Sequence, residues 1–247
     1  MPSCFSEAKS LVDPFVRAAT THLPAPMLRV VGYHRGWCDA DGNAPGVLPG
    51  STFWMAAMTL LGGRAVGGSD ENLVAAAVSM ELMHDAAVIQ DDVVDQDDTR
   101  YGSPAVWKIF GLGQAVTVSS ALHVLATHTL LSVGEPMVGP CMKLFDRGLS
   151  TAINAQSVDL HLQGRGETSF EECVTVSQEK TGGLIGCAAA LGAQLGGGST
   201  AHVEALYEYG WWCGYAGQIL NDVDDVRGQI KLMGFGRLRS DLRARRI

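Results

Sequence analysis

From 71 to 92 the chain reads ENLVAAAVSMELMHDAAVIQDD, with apolar residues returning at every third and fourth position and no proline. That period gathers apolar side chains on one side of an α-helix and predicts one long helix. Gly67, Gly68 and Ser69 precede it, and Ser69 or Asp70 is placed to cap it. Gly102, Ser103 and Pro104 break the chain beyond it. Further helices are predicted from about Pro104, through the tract 109–134, over 141–163, over 169–195 in one or two pieces, and over 202–226. Residues 36–50, GWCDADGNAPGVLPG, form a loop because Gly and Pro dominate them. Strand-like alternation of Val, Ile and Thr is scarce, and there is no repeat. The expectation is an all-α protein of mutually buried helices, one domain over residues 1–247.

Two tracts, 109–134 and 181–203, carry no Asp, Glu, Lys or Arg. Each is long enough to suggest a membrane span. The first holds Gln114, His123, His128 and several Ser and Thr, and the second is rich in glycine. Both therefore read as helices buried all round inside a large helical protein, with no transmembrane segment. Charge narrows the function. A net charge of −8 argues against nucleic-acid binding and against a polybasic membrane anchor. The six cysteines are scattered with no CxxC spacing, which reads as reduced thiols in a cytoplasmic protein. The N-terminal MPSCFSEAKS lacks the basic and apolar blocks of a signal peptide.

The candidate chemistry lies in IQDDVVDQDDTR, 89–100. On a helix Asp91 and Asp95 stand one turn apart on one face, with Asp92 beside them. Carboxylates this close repel, and a divalent cation relieves the repulsion. Few, hard oxygen ligands indicate Mg²⁺, which keeps waters and completes its shell with substrate phosphate. A calcium loop is excluded, because no glycine stands at its sixth position and no glutamate at its twelfth. A second cluster, ILNDVDDVRG (219–228), places Asn221, Asp222, Asp224 and Asp225 at the end of another apolar helix. Two such helix ends facing one cavity could hold Mg²⁺ ions bridged by a diphosphate, with Arg100, Lys180 and Gln218 completing its coordination.

ELMHDAAVIQDDVVDQDDTRYGSPAVW and GQILNDVDDVRG resemble the two aspartate-rich motifs of the trans-isoprenyl diphosphate synthases. Lys180-Thr181 resembles that family's Lys-Thr pair, and AQSVDL (155–160) its Gly-Gln-x-x-Asp-Leu segment. The resemblance implies an isoprenoid-synthase helical bundle around a deep central cavity, three Mg²⁺ ions, an allylic prenyl diphosphate substrate and a homodimer. It implies metal ligation by Asp91, Asp92, Asp95, Asn221, Asp222 and Asp225, and diphosphate binding by Arg100, Lys180 and Gln218. It also implies that the fourth and fifth residues before the first motif set tail depth. Here these are Ala87 and Ala86. Both are small, as is Gly217, and the expected tail is geranylgeranyl in length. The family's terminal flap would supply Arg246 to the diphosphate. Its further helices follow a point near Ile247, and one wall of the pocket is missing only if those helices are absent.

The chain departs from the family at the second diphosphate site, which holds isopentenyl diphosphate without metal. No Lys or Arg occurs between Arg35 and Arg64, where the family carries Gly-Lys-x-x-Arg. Tyr101 stands in place of an arginine, and only His84 remains of the expected set. Asn221, Asp225 and Gln229 also match, in part, the spacing of a terpene-cyclase metal motif. The expected function is therefore Mg²⁺-dependent ionisation of an allylic diphosphate followed by cyclisation or quenching. Trp54, Trp107, Trp211, Trp212 and Tyr215 are candidates to face the carbocation. One alternative is a prenyl diphosphate synthase whose second site uses His84, Arg64 and Arg35. The other is a non-catalytic partner subunit of a true synthase.

Overall fold

A computed structural model describes residues 3–44, 51–163, 165 and 167–226, without the side chains of Asp222, Asp224, Asp225 and Val226. Along them run α1 (Ser3–Thr20), α2 (Ala25–His34), α3 (Trp54–Ala65), α4 (Asp70–Val94), α5 (Val106–Phe110), α6 (Leu112–Leu131), α7 (Val138–Gln163), α8 (Phe170–Ser177), α9 (Gly183–Leu195) and α10 (Thr200–Val226). A π-helical turn, Gln178–Gly182, joins α8 to α9. Two short strands, β1 (Thr99–Arg100) and β2 (Ser103–Pro104), pair antiparallel between α4 and α5. The all-α expectation holds. The periodic stretch 71–92 lies within α4, which Asp95 ends as its C-cap. The predicted 169–195 stretch is one run of helix whose hydrogen-bond pattern changes at the π turn.

α9 is the packing centre, set against α3, α4, α7 and α10. Its sequence GLIGCAAALGAQL is buried almost throughout, as its lack of charge demands. Its small residues let neighbouring backbones approach closely. A Cβ on Gly192 would meet the Thr59 carbonyl oxygen at 1.9 Å, and one on Gly62 would meet that of Ala189 at 2.2 Å. Glycine at these two positions fixes how α3 crosses α9, since backbone cannot yield to a methyl group.

α6 departs from the expectation of burial all round. One side packs on α4, burying Ala115, Val118, Leu122 and Ala126. Leu112, Val116, Val124 and Leu131 are exposed on the other. Lack of charge alone did not reveal that neighbours cover only half of the helix. Among the described helices, only α4 is long and apolar enough to cross a membrane, and 78% of its apolar window is buried within the protein. All six cysteines are free thiols.

Candidate active site

α4 presents two different polar faces. Along one, His84, Ala87, Val88, Asp91 and Val94 recur at helical spacing and line a cavity of about 280 Å³. α7, the π turn, α9 and α10 close around it. Its body is aliphatic, built by Met55, Leu149, Ala152 and Leu184 among others. Its polar end carries Asp91, Lys180, Thr181 and Gln218. Lys180 Nζ donates to Asp91 Oδ1 and lies 4.0 Å from Asp159 Oδ2 on α7. Thr181 Oγ1 donates to Gln218 Oε1 at 3.1 Å, which brings α10 to the same point. The π turn adds a residue to its helical turn and sets Lys180 and Thr181 side by side at this junction.

The other face buries Glu81, Asp85 and Asp92, each 0% exposed. Arg35, at the end of α2, donates from Nη2 to Glu81 Oε2 at 2.7 Å and from Nε to Asp85 Oδ2 at 2.6 Å. Glu81 also accepts from the Ser51 hydroxyl and the Ala56 backbone N–H, tying the start of α3 into the cluster. Burial opposes charge on Asp85, yet Arg35 and His34 hold its carboxyl down at about 2. Burial lifts Glu81 above the usual carboxylate range against the pull of Arg35. Beyond them the β1–β2 hairpin turns through Tyr101 and Gly102, both at positive φ, as a two-residue reversal requires. That reversal directs Arg100 back onto Asp92, with Nε 2.7 Å from Oδ1.

The residues singled out from sequence therefore divide. Asp91, Lys180, Gln218, His84 and Ala87 line one cavity. Asp92 and Arg100 do not: the carboxylate and guanidinium neutralise each other in the interior, a quarter-turn round the helix from Asp91. Ala86 is 0% exposed, and its carbonyl accepts from Ser119 on α6, because one residue of helical rotation carries it off the cavity face. Gly217 is buried in α10 beside Gln218. Tyr101 is half-buried and tilted against the His34 ring, 5.7 Å between centroids, and burial of its hydroxyl raises its phenol above the usual range. Asn221 is 1% exposed, and its Nδ2 has no partner among the described residues. The side chains of Asp222 and Asp225, and the whole of Arg246, lie outside the described residues.

None of the five aromatic candidates lines the cavity. Trp54 stacks on Phe5, Trp107 Nε1 donates to the Asp97 carbonyl, and Trp211 packs on Gly182. Trp212 is 60% exposed, with Tyr215 edge-on to it. Arg64 bonds Asp70 and Glu7. Arg35 is closed in by carboxylates. Neither lines the cavity.

Among the described residues no three His, Cys, Asp or Glu side chains converge as a metal cage. The donor set nevertheless fits Mg²⁺. Asp91 already holds a cation, Lys180, and Asp95 follows one turn on, its N–H donating to the Asp91 carbonyl. One or two carboxylates are what Mg²⁺ takes from a protein when substrate phosphate supplies the remainder.

The family profile for polyprenyl synthetase matches residues 50–245. The chain belongs to the polyprenyl synthetase family. It is 30% identical over 239 residues to (2E,6E)-farnesyl diphosphate synthase of Mycobacterium tuberculosis, covering 97% of this chain and 66% of that one. It is 28% identical over 228 residues to geranylgeranyl diphosphate synthase of the same organism, covering 92% and 65%. The crystal structure of polyprenyl synthetase from Streptomyces coelicolor A3(2) superposes with a TM-score of 0.88 at 33% identity, over 98% of this chain and 71% of that one. The chain thus spans just under two thirds of the length of these mycobacterial relatives.

Sequence reasoning missed several cavity residues in this chain. Met55, His123 and Gln156 come from α3, α6 and α7, and only Gln156 stands in a recognisable segment. His84, expected at a substrate site, lines the cavity, and burial pushes its imidazole down to about 4. This has a measurable consequence. An unfolded histidine binds a proton below pH 6.5, while folded His84 does not until about pH 4. Stability is therefore full above about pH 6.5 and falls as pH drops towards 4. Between pH 6.5 and 5 the wild type is expected to lose about 2 kcal/mol more than His84→Gln, read by urea unfolding at each pH. Equal slopes would show that His84 is protonated inside the fold.

Proposed function

We propose that this chain works as a trans-prenyl diphosphate synthase, condensing isopentenyl diphosphate with an allylic prenyl diphosphate. The observation that carries this reading is the cavity. A cation-bearing polar end opens onto an aliphatic body with no Phe, Tyr or Trp in its lining among the described residues. An apolar tail with a diphosphate head matches that division of surface. Aliphatic walls hold the tail and exclude water, but they offer no Phe, Tyr or Trp face to guide a carbocation through ring closures. The mycobacterial relatives, named as farnesyl and geranylgeranyl diphosphate synthases, support elongation over cyclisation.

Asp91 and Asp95 would hold Mg²⁺, which when bound stabilises the departing diphosphate. Lys180, a compact charge on a flexible stem, supplies a donor to the diphosphate oxygens. Thr181 and Gln218 hold each other at the same end and orient the head group. Ala87, with no side chain beyond Cβ, leaves the cavity open along α4.

A second reading is ionisation followed by quenching without isopentenyl diphosphate. One observation favours it: Lys180 is the sole Lys or Arg lining the cavity among the described residues, and Arg35 and Arg100 are neutralised by buried carboxylates. Incubation with Mg²⁺ and farnesyl or geranylgeranyl diphosphate, with and without isopentenyl diphosphate, separates the two. A longer prenyl diphosphate, formed only when isopentenyl diphosphate is present, is the expected product. A hydrocarbon or alcohol formed in its absence would instead establish the second reading. Turnover only after a second protein is added would identify the chain as a partner subunit.

A further inference from the structure

We infer that Asp159 of α7 is a positioning residue that acts through Lys180, a role that rests on the diphosphate-binding reading above. Three elements meet at this lysine. Asp91 comes from α4, Lys180 from the π turn and Asp159 from α7. Lys180 is hydrogen-bonded to Asp91, and its Nζ stands 4.0 Å from Asp159 Oδ2. The side chains are 16%, 17% and 8% exposed respectively, so the charges meet where water screens them weakly. Asp159 is absent from the cavity lining, while Lys180 and Asp91 belong to it.

The asymmetry between the two carboxylates is the basis of the inference. A diphosphate is an anion, and a carboxylate placed to touch it would repel it. Asp159 assists binding only by acting on a cation, and the cation beside it is Lys180. The lysine stem has four rotatable bonds and many rotamers. With both carboxylates in place, one rotamer is selected, with Nζ at the polar end of the cavity. If Asp91 were drawn to a bound Mg²⁺, it would no longer hold the ammonium. Asp159 does not take part in that exchange. It keeps Lys180 at the same point, and the ammonium passes from a carboxylate to the diphosphate without swinging away. Asp159 is itself fixed in place by its burial on α7, at 6% exposure.

The test is a double-mutant cycle read by calorimetric binding of inorganic diphosphate in the presence of Mg²⁺, which requires no turnover. Wild type, Asp159→Asn, Lys180→Met and the double variant are compared, with helix content and thermal unfolding checked for each. Asp159→Asn is expected to weaken diphosphate binding about tenfold. The same change in the Lys180→Met background is expected to weaken it less than twofold, because the group Asp159 acts through is gone. Asp159→Glu, which keeps the charge, is expected to recover most of the wild-type affinity, and it serves as the readout if Asp159→Asn does not fold. Unchanged affinity in Asp159→Asn overturns the inference. So does an equal loss in both backgrounds, which would assign Asp159 its own contact with metal or ligand. If wild-type protein binds no diphosphate with Mg²⁺, the functional reading itself fails and takes this role with it.

Discussion

Arg35→Met is expected to destabilise the protein by about 3–5 kcal/mol, a large part of the stability of an ordinary domain. Arg35 is 4% exposed and is the guanidinium between Glu81 and Asp85, both 0% exposed. Methionine fills similar space but leaves two carboxylates one helical turn apart with only His34 beside Asp85, 3.6 Å away, in place of the guanidinium. Each must then bind a proton or draw water into the core. The packing of the guanidinium over Phe53, 4.9 Å from the ring centroid, is lost as well. Asp85, held at about 2, contributes stability that is present above about pH 4 and lost as pH falls through 2. Without Arg35 that contribution reverses, so the variant should be relatively more stable near pH 4 than at pH 7. Adding Glu81→Gln and Asp85→Asn to Arg35→Met is expected to recover most of the loss, since the uncompensated charge, and not the missing contact, dominates the cost. Urea midpoints at pH 4 and 7 measure all of this. A loss under about 1 kcal/mol for Arg35→Met would show that water already reaches the cluster.

Asp91→Asn is expected to lower kcat/KM by about a thousandfold, roughly 4 kcal/mol of transition-state stabilisation, while the helices stay intact. The amide keeps the size of the carboxylate and an accepting oxygen, but it neutralises neither a divalent cation nor the Lys180 ammonium. Asp92→Asn serves as the contrast. Asp92 faces Arg100 in the interior, so its loss leaves the buried guanidinium only its longer contact to Asp97, 3.4 Å, and registers first as lower stability. Steady-state kinetics beside thermal unfolding distinguish the two neighbours. If Asp91→Asn retains more than a tenth of wild-type turnover, Asp91 is not a metal ligand.

Most of the fold was legible along the chain. Helical period is a local property, and a run such as 71–92 has no other way to bury its apolar residues. Asp91 and Lys180, 89 positions apart, were also legible as partners of a shared ligand, because the acidic and Lys-Thr segments each stand in a recognisable motif. The aromatic residues were not legible. Five Trp and Tyr side chains suited a carbocation chemically, and packing sent every one elsewhere. The same applies to the neighbours Ala86 and Ala87. Sequence makes them equivalent, and 100° of helical rotation sends one into the contact with α6 and the other into the cavity.

By itself the sequence determined the helices and the two acidic clusters, since both follow from residues near one another in the chain. It also determined that the region between Arg35 and Arg64 supplies no cation. The tertiary structure alone decided which charges are available. Arg35 meets Glu81 and Asp85 across 46 and 50 positions, and the hairpin folds Arg100 back on Asp92. A charge serves a substrate only where it stands on the cavity wall, as Lys180 does, and not where it is sealed among carboxylates behind that wall, as Arg35 and Arg100 are, and that depends on which helix faces pack together.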